Sequence, residues 1–173
     1  MTTEMKKNIG AMVQGFCLPR YNVIPNVGLY LEQTVKYICE YLAPLQATAI
    51  TGSMVSNYVK KGLVENPVRK QYGRDQIAYL MFIALAKNVA SLDNLALFIR
   101  LQRQTYTTER AYNYFCMELE NLLFYVFGVK ETLESVGVDS TDEKTLLRDT
   151  VITLAHKIYL EKCFAALAVE DKT

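Results

Sequence analysis

What this chain lacks narrows its chemistry before anything it contains is weighed. Its 173 residues hold no tryptophan, one histidine (His156), four prolines and eight glycines. So few helix breakers leave room for long uninterrupted helices. The four cysteines, Cys17, Cys39, Cys116 and Cys163, stand far apart and form no CxxC pair. They are expected as reduced core residues, and neither a metal nor a cofactor is expected. A single histidine without a neighbouring ligand motif reads as structural. P-loop, GxGxxG, GxSxG and HExxH signatures are all missing. Carboxylates such as Glu118 and Glu120 lie two apart, on different sides of a helix, so no acid–base set emerges. The expectation is a protein without enzymatic activity and without catalytic residues.

Long apolar runs are absent as well. The longest apolar window, residues 111–127, is interrupted by Asn113, Glu118, Glu120 and Asn121. That pattern describes a buried helix and not a membrane span. Near the start, lysines accompany Met5, Ile9, Met12 and Val13, an amphipathic spacing without the continuous core of an export signal. A cytoplasmic location and no membrane partner are therefore expected.

What is present is a globular composition, 51% hydrophobic and 21% charged. The length suits one domain or a small head with a second helical lobe. The net charge of +1 conceals an asymmetry: residues 51–104 carry eight Lys/Arg against three Asp/Glu, and residues 105–173 carry seven against twelve. The basic half points to a polyanion as its partner.

Helical spacing predicts a first helix over 3–14, capped by Thr3, and a second over 28–43 with the stripe Leu31, Val35, Ile38 and Leu42, stopped by Pro44. Thr51 is positioned to cap a short helix over 51–61. Val55, Tyr58 and Val59 fall on one side of it, and Ser53, Ser56, Asn57 and Lys60 on the other. Gly62 permits the positive φ that ends this helix, and Leu63 and Val64 turn back to the core. Asn66-Pro67 between Val64 and Val68 predicts a two-stranded wing within 63–72. Helices are expected at 74–88 and 92–103. An apolar stripe of Phe115, Leu119, Leu122, Leu123 and Val126 then ends at Gly128. A polar connector over 128–142, with a helical turn near 131–136, leads to a last helix over 143–168. There Leu147, Val151, Leu154 and Ile158 recur at coiled-coil-like spacing.

The segment 50–85 resembles the DNA-binding head of MerR-type regulators. Ile50-Thr51 match the entry into the recognition helix, Tyr58 its aromatic position, and Gly62-Leu63-Val64 the turn that follows. Pro67 sits in the wing, while Tyr72, Ile77, Leu80, Phe82 and Ile83 match the next helix. Ser91-Leu92-Asp93 and Leu95 match the start of the one after. The preceding residues 24–42 resemble the opening of a bacterial family that carries such a head, its domain known only as one of unknown function. The resemblance covers about residues 24–100. Departures are Ser56 and Asn57, where an arginine and a tyrosine are usual, and Arg69-Lys70-Gln71 in place of Gly-Tyr-Arg in the wing.

The fold expected is all-α, with a MerR-like winged helix-turn-helix head and N-terminal helices over 1–104 and a helical lobe over 105–173. That lobe serves dimerisation or ligand sensing. The leading expectation is a cytoplasmic transcriptional regulator that binds double-stranded DNA as a homodimer. Ser53, Ser56, Asn57 and Lys60 would face the major groove, and Lys61, Arg69, Lys70 and Arg74 the phosphates. Aromatic residues Tyr112, Phe115, Phe124 and Tyr125 admit two readings, a pocket for a small-molecule effector or core packing; helical spacing favours packing. A protein-interaction module that keeps the helix-turn-helix as scaffold, and a ligand sensor, remain as rivals. Salt-dependent DNA binding separates them.

Overall fold

The computed structural model describes residues 1–46, 50–138 and 140–170, and is predominantly helical. Its helices are α1 (Thr3–Ala11), α2 (Leu31–Leu42), α3 (Gly52–Lys60), α4 (Arg74–Ala86), α5 (Leu92–Thr105), α6 (Thr108–Val126) and α7 (Asp142–Glu170). The strands are β1 (Leu29–Tyr30) and β2 (Gln71–Tyr72), paired antiparallel with Leu29 opposite Tyr72 and Tyr30 opposite Gln71.

Hydroxyl caps set most helix starts. Thr2, Thr51, Ser91 and Thr107 each accept the N–H three residues on, opening α1, α3, α5 and α6. The cap of α1 is thus Thr2 and not Thr3, and that helix stops at Ala11. Where the expected second helix began at residue 28, residues 29–30 instead form β1. Gln33 Oε1 accepts the Tyr30 N–H at 2.9 Å and starts α2 one residue later. No helical turn forms within 131–136.

Helix α4 is the axis of the molecule. Every residue from Ile77 to Ala86 is buried, so it is apolar on all sides and must be surrounded. Helices α2, α6 and α7 pack around it, and α1 lies against α7. One core runs from Ile9 through Ile83 and Phe115 to Cys163, so residues on both sides of 104 share it. Phe82 meets Phe115 edge to face with ring centroids 5.2 Å apart.

The two apolar stripes of the lobe expected to serve dimerisation or ligand sensing are used inside the chain. Phe115, Leu119, Leu122 and Leu123 of α6 and Leu147, Val151, Leu154 and Ile158 of α7 are all buried, and α6 packs along α7. Exposed apolar surface remains on the last turns of α7, at Leu160, Phe164 and Leu167. Of the cysteines, all free, Cys116 and Cys163 are buried and Cys39 is half-buried, while Cys17 is exposed and not a core residue. Among the described residues, no helix is long and apolar enough to cross a membrane, and no group of three or more His, Cys, Asp or Glu is placed to hold a metal ion.

Candidate nucleic-acid interface

Helix α3 is held by two side chains on one face. Val55 and Tyr58 are buried, and Met54 and Val59 are half-buried beside them. Its end is a Schellman turn: Gly62 N–H donates to Val59 O and Leu63 N–H to Tyr58 O, both at 3.0 Å, with Gly62 at φ +74°. Leu63 and Val64 then return to the core.

The opposite face of α3 stays in solvent. Ser53, Ser56, Asn57 and Lys60 are exposed, and Lys61 continues their row. Ser56 Oγ donates to Gly52 O at 2.9 Å, and Ser53 Oγ lies 3.0 Å from the Thr51 hydroxyl, so both hydroxyls lean on their own helix. Asn57 carries the amide of that row, with two donors and an acceptor available to a base edge. Lys61 Nζ lies 3.4 Å from Asp93, a loose pair with a carboxylate that is 89% exposed. Such a pair is readily exchanged for another anion.

The two-stranded wing expected within 63–72 is not formed; that segment holds a single bridge, Val68 to Gln71. Asn66-Pro67 forms no turn; the segment is held by Gln76, whose Nε2 donates to Glu65 O at 2.9 Å and Asn66 O at 3.0 Å. The hairpin tip is Arg69-Lys70, closed by Val68 N–H to Gln71 O at 3.0 Å and Gln71 N–H to Val68 O at 2.9 Å. Both tip residues have positive φ, 51° and 65°, as a two-residue primed turn demands. Strand β2 then pairs with β1 and not with residue 64. That pairing is tight: a Cβ on Gly28 would stand 2.6 Å from Gln71 Cβ.

Arg74 is placed otherwise than as a phosphate contact. Its Nε donates to Ile24 O at 2.8 Å, and its guanidinium lies 5.4 Å from the centre of the Tyr21 ring. It clamps the loop before β1 to the start of α4.

Two arginines outside the expected set extend the basic surface. A groove of about 490 Å³ is lined by Lys61, Gly62, Ala96, Ile99, Arg100, Arg103 and Gln104. Arg103 stacks over Tyr79 at 4.6 Å and sits 3.3 Å from Glu65. The sequence signal was available, since residues 96, 99/100 and 103/104 share one face of α5. What joins that face to Lys61 is tertiary.

The aromatic residues nominated as a pocket do not converge. Tyr112 and Phe115 are core residues facing α4, with centroids 6.2 Å apart, whereas Phe124 is half-buried and Tyr125 exposed two turns further along. Tyr112 Oη is buried without a hydrogen-bond partner, and desolvation drives its pKa far above the ordinary tyrosine value.

No curated protein and no solved structure matches this chain. A family match spans residues 19–115, from the loop after α1 into the middle of α6. That is more than half of the 173 residues, and it contains α2, α3, the hairpin, α4 and α5. The chain belongs to the family described as Domain of unknown function (DUF1836).

Proposed function

We propose that the protein is a DNA-binding transcriptional regulator whose α3 enters a major groove, in the manner of a MerR-like winged helix-turn-helix. The observation that carries this reading is the two-sided α3, fixed by Val55 and Tyr58 and presenting Ser53, Ser56, Asn57 and Lys60 to solvent. The hairpin tip supports it. Arg69 and Lys70 occupy positive-φ positions that Asn-Gly would take without strain. Non-glycine residues in such conformations are common where function requires the side chain.

In this arrangement Asn57 reads a base, with adenine as its natural partner, while Lys60, Lys61, Arg69, Lys70, Arg100 and Arg103 neutralise phosphates. Two heads about 34 Å apart on one duplex would supply the contacts that a nine-residue helix alone does not. A second copy docks through Leu160, Phe164 and Leu167, the apolar surface that α7 leaves exposed.

The test is fluorescence anisotropy against duplexes selected from a random pool, repeated across a salt series. Asn57→Ala is expected to cost about 1–3 kcal/mol at one base position only. Lys70→Ala is expected to weaken all duplexes alike and to lower the salt slope by about one. Absence of salt-sensitive binding to any duplex at low ionic strength would refute the proposal and leave α3 as the scaffold of a protein-interaction module.

A further inference from the structure

Between α5, α6, the connector and the first turns of α7 lies a cavity of about 360 Å³. Its walls are Phe98, Tyr106, Tyr114, Met117 and Leu147, with Gly137 and Val138 at the lip. None of the four residues anticipated as a pocket, Tyr112, Phe115, Phe124 and Tyr125, lines it. An engineered apolar cavity of about 150 Å³ holds benzene, so this volume admits a two-ring molecule. A smaller hollow of about 30 Å³ adjoins it, sharing Phe98, Gln102, Ala111 and Leu147 and reaching Phe82 and Phe115.

The polar groups restrict what fits. Gln102 is already committed at both ends, accepting from Tyr79 Oη and donating to Tyr106 O, each at 2.9 Å. Asn113 Oδ1 accepts the Tyr21 N–H at 2.9 Å, so the group Asn113 can offer a ligand is its NH2. At the rim the cations of Arg110 and Lys144 lie over the rings of Tyr106 and Tyr114, at 5.1 and 5.3 Å from their centroids. They brace two aromatic walls upright.

We propose that this cavity binds a planar, largely apolar small molecule carrying one hydrogen-bond acceptor, which the Asn113 amide meets. The ligand touches Phe98 on one face of α5, the opposite face supplies Arg100 and Arg103 to the basic groove beside Lys61, and Ile99 between them lines both the groove and the smaller hollow. Occupancy therefore acts on the phosphate-facing side of α5, a consequence that rests on the DNA-binding reading, whereas the binding itself does not.

The probes are quinoline, which has a ring acceptor, and naphthalene, its acceptor-free counterpart, followed by protein-observed NMR and calorimetry on the full chain. Quinoline is expected to bind at submillimolar concentration, shifting resonances of Phe98, Ala111, Asn113 and Leu147, and about tenfold tighter than naphthalene. Asn113→Asp retains the acceptor for Tyr21 and removes the donor, and it is expected to abolish that tenfold preference. Ala111→Trp fills the space and is expected to abolish both. No shifts at millimolar quinoline, shifts centred away from these residues, or an unchanged preference in Asn113→Asp would overturn the proposal. A protein that binds quinoline but no duplex refutes the regulator reading and leaves the cavity standing. One whose duplex affinity is unmoved by saturating quinoline refutes the coupling alone.

Discussion

Replacing Glu120 separates the cost of an orphaned amide from that of a lost ion pair. This carboxylate on α6 accepts three hydrogen bonds: Leu18 N–H at 2.9 Å, Arg20 Nη1 at 2.7 Å and Arg20 Nη2 at 2.6 Å. Together they pin the segment between α1 and β1 onto α6. Glu120 holds the Arg20 guanidinium further above its ordinary pKa, chiefly through these hydrogen bonds. The Arg20 side chain is 35% exposed, so water replaces much of what it loses, and the pair contributes only about 0.5–1 kcal/mol. Leu18 is different. It is 1% exposed, and its N–H has no solvent to turn to, which costs about 1–3 kcal/mol when the acceptor is removed. Glu120→Ala is thus expected to lose about 1.5–4 kcal/mol in urea unfolding with an unchanged m-value. Glu120→Gln keeps an oxygen for Leu18 and should lose only about 1 kcal/mol. If Gln proves as damaging as Ala, the charge dominates and the reasoning about the buried amide is wrong.

Other outcomes follow from the same geometry. Phe164→Glu on the exposed end of α7 is expected to halve the mass seen by light scattering and to abolish any rise of melting temperature with protein concentration; an unchanged mass would place any dimer contact elsewhere. Lys70→Gly relieves a residue held at φ 65° and should raise stability by about 0.5–1 kcal/mol while weakening duplex binding. A loss on both counts would mean that the tip is not strained. Burial pushes the Cys116 thiol up to about 12 from 9.0 and the Tyr114 phenol up to about 12 from 10.0. Both keep their protons longer folded than unfolded, so stability present below pH 9 should decline as pH climbs from 9 towards 12. A titration flat across that window would contradict it. Under native conditions at neutral pH a thiol reagent should label Cys17 well before Cys116; equal rates would contradict the burial of Cys116.

How far the fold was legible depended on whether each signal was local. Capping by Thr51, the facing of Val55 and Tyr58, and the stop at Gly62 are all set within a dozen residues; residue type announces the cap and the stop, and spacing the facing. Asn66-Pro67 is the stronger turn signal within 63–72, yet the chain turns at Arg69-Lys70. The Glu65 and Asn66 carbonyls are instead held by Gln76, about ten residues on. Nothing local announces two cations at positive φ. Strand β1 was hidden for a related reason: two residues paired with a partner some forty positions away leave no periodicity. The stripes of α6 and α7 were read correctly as apolar, yet spacing cannot say whether the matching surface belongs to the same chain. For Arg74, a cation in a basic stretch, only the tertiary bond to Ile24 O gives its role.

The contrast between α4 and α5 decides which element can carry a signal between cavity and groove. Helix α4 buries ten consecutive residues, so displacing it by even a fraction of an ångström opens voids on every side. Helix α5 buries only Leu95, Ile99 and Gln102 over its fourteen residues; most of the others are exposed. A ligand seated against Phe98 acts on a ring that itself packs on Phe82 of α4, with centroids 5.7 Å apart, in a helix that also lies against α7. Three polar ties hold α5 as well: Gln102 to Tyr79 and Tyr106, Arg103 to Glu65, and Asp93 to Lys61. Two of those three ties end on residues beside the α3 turn, Lys61 and Glu65. A shift of α5 therefore reaches the proposed DNA face through two exposed ion pairs, and reaches α4 through Phe98 on Phe82 and Gln102 on Tyr79.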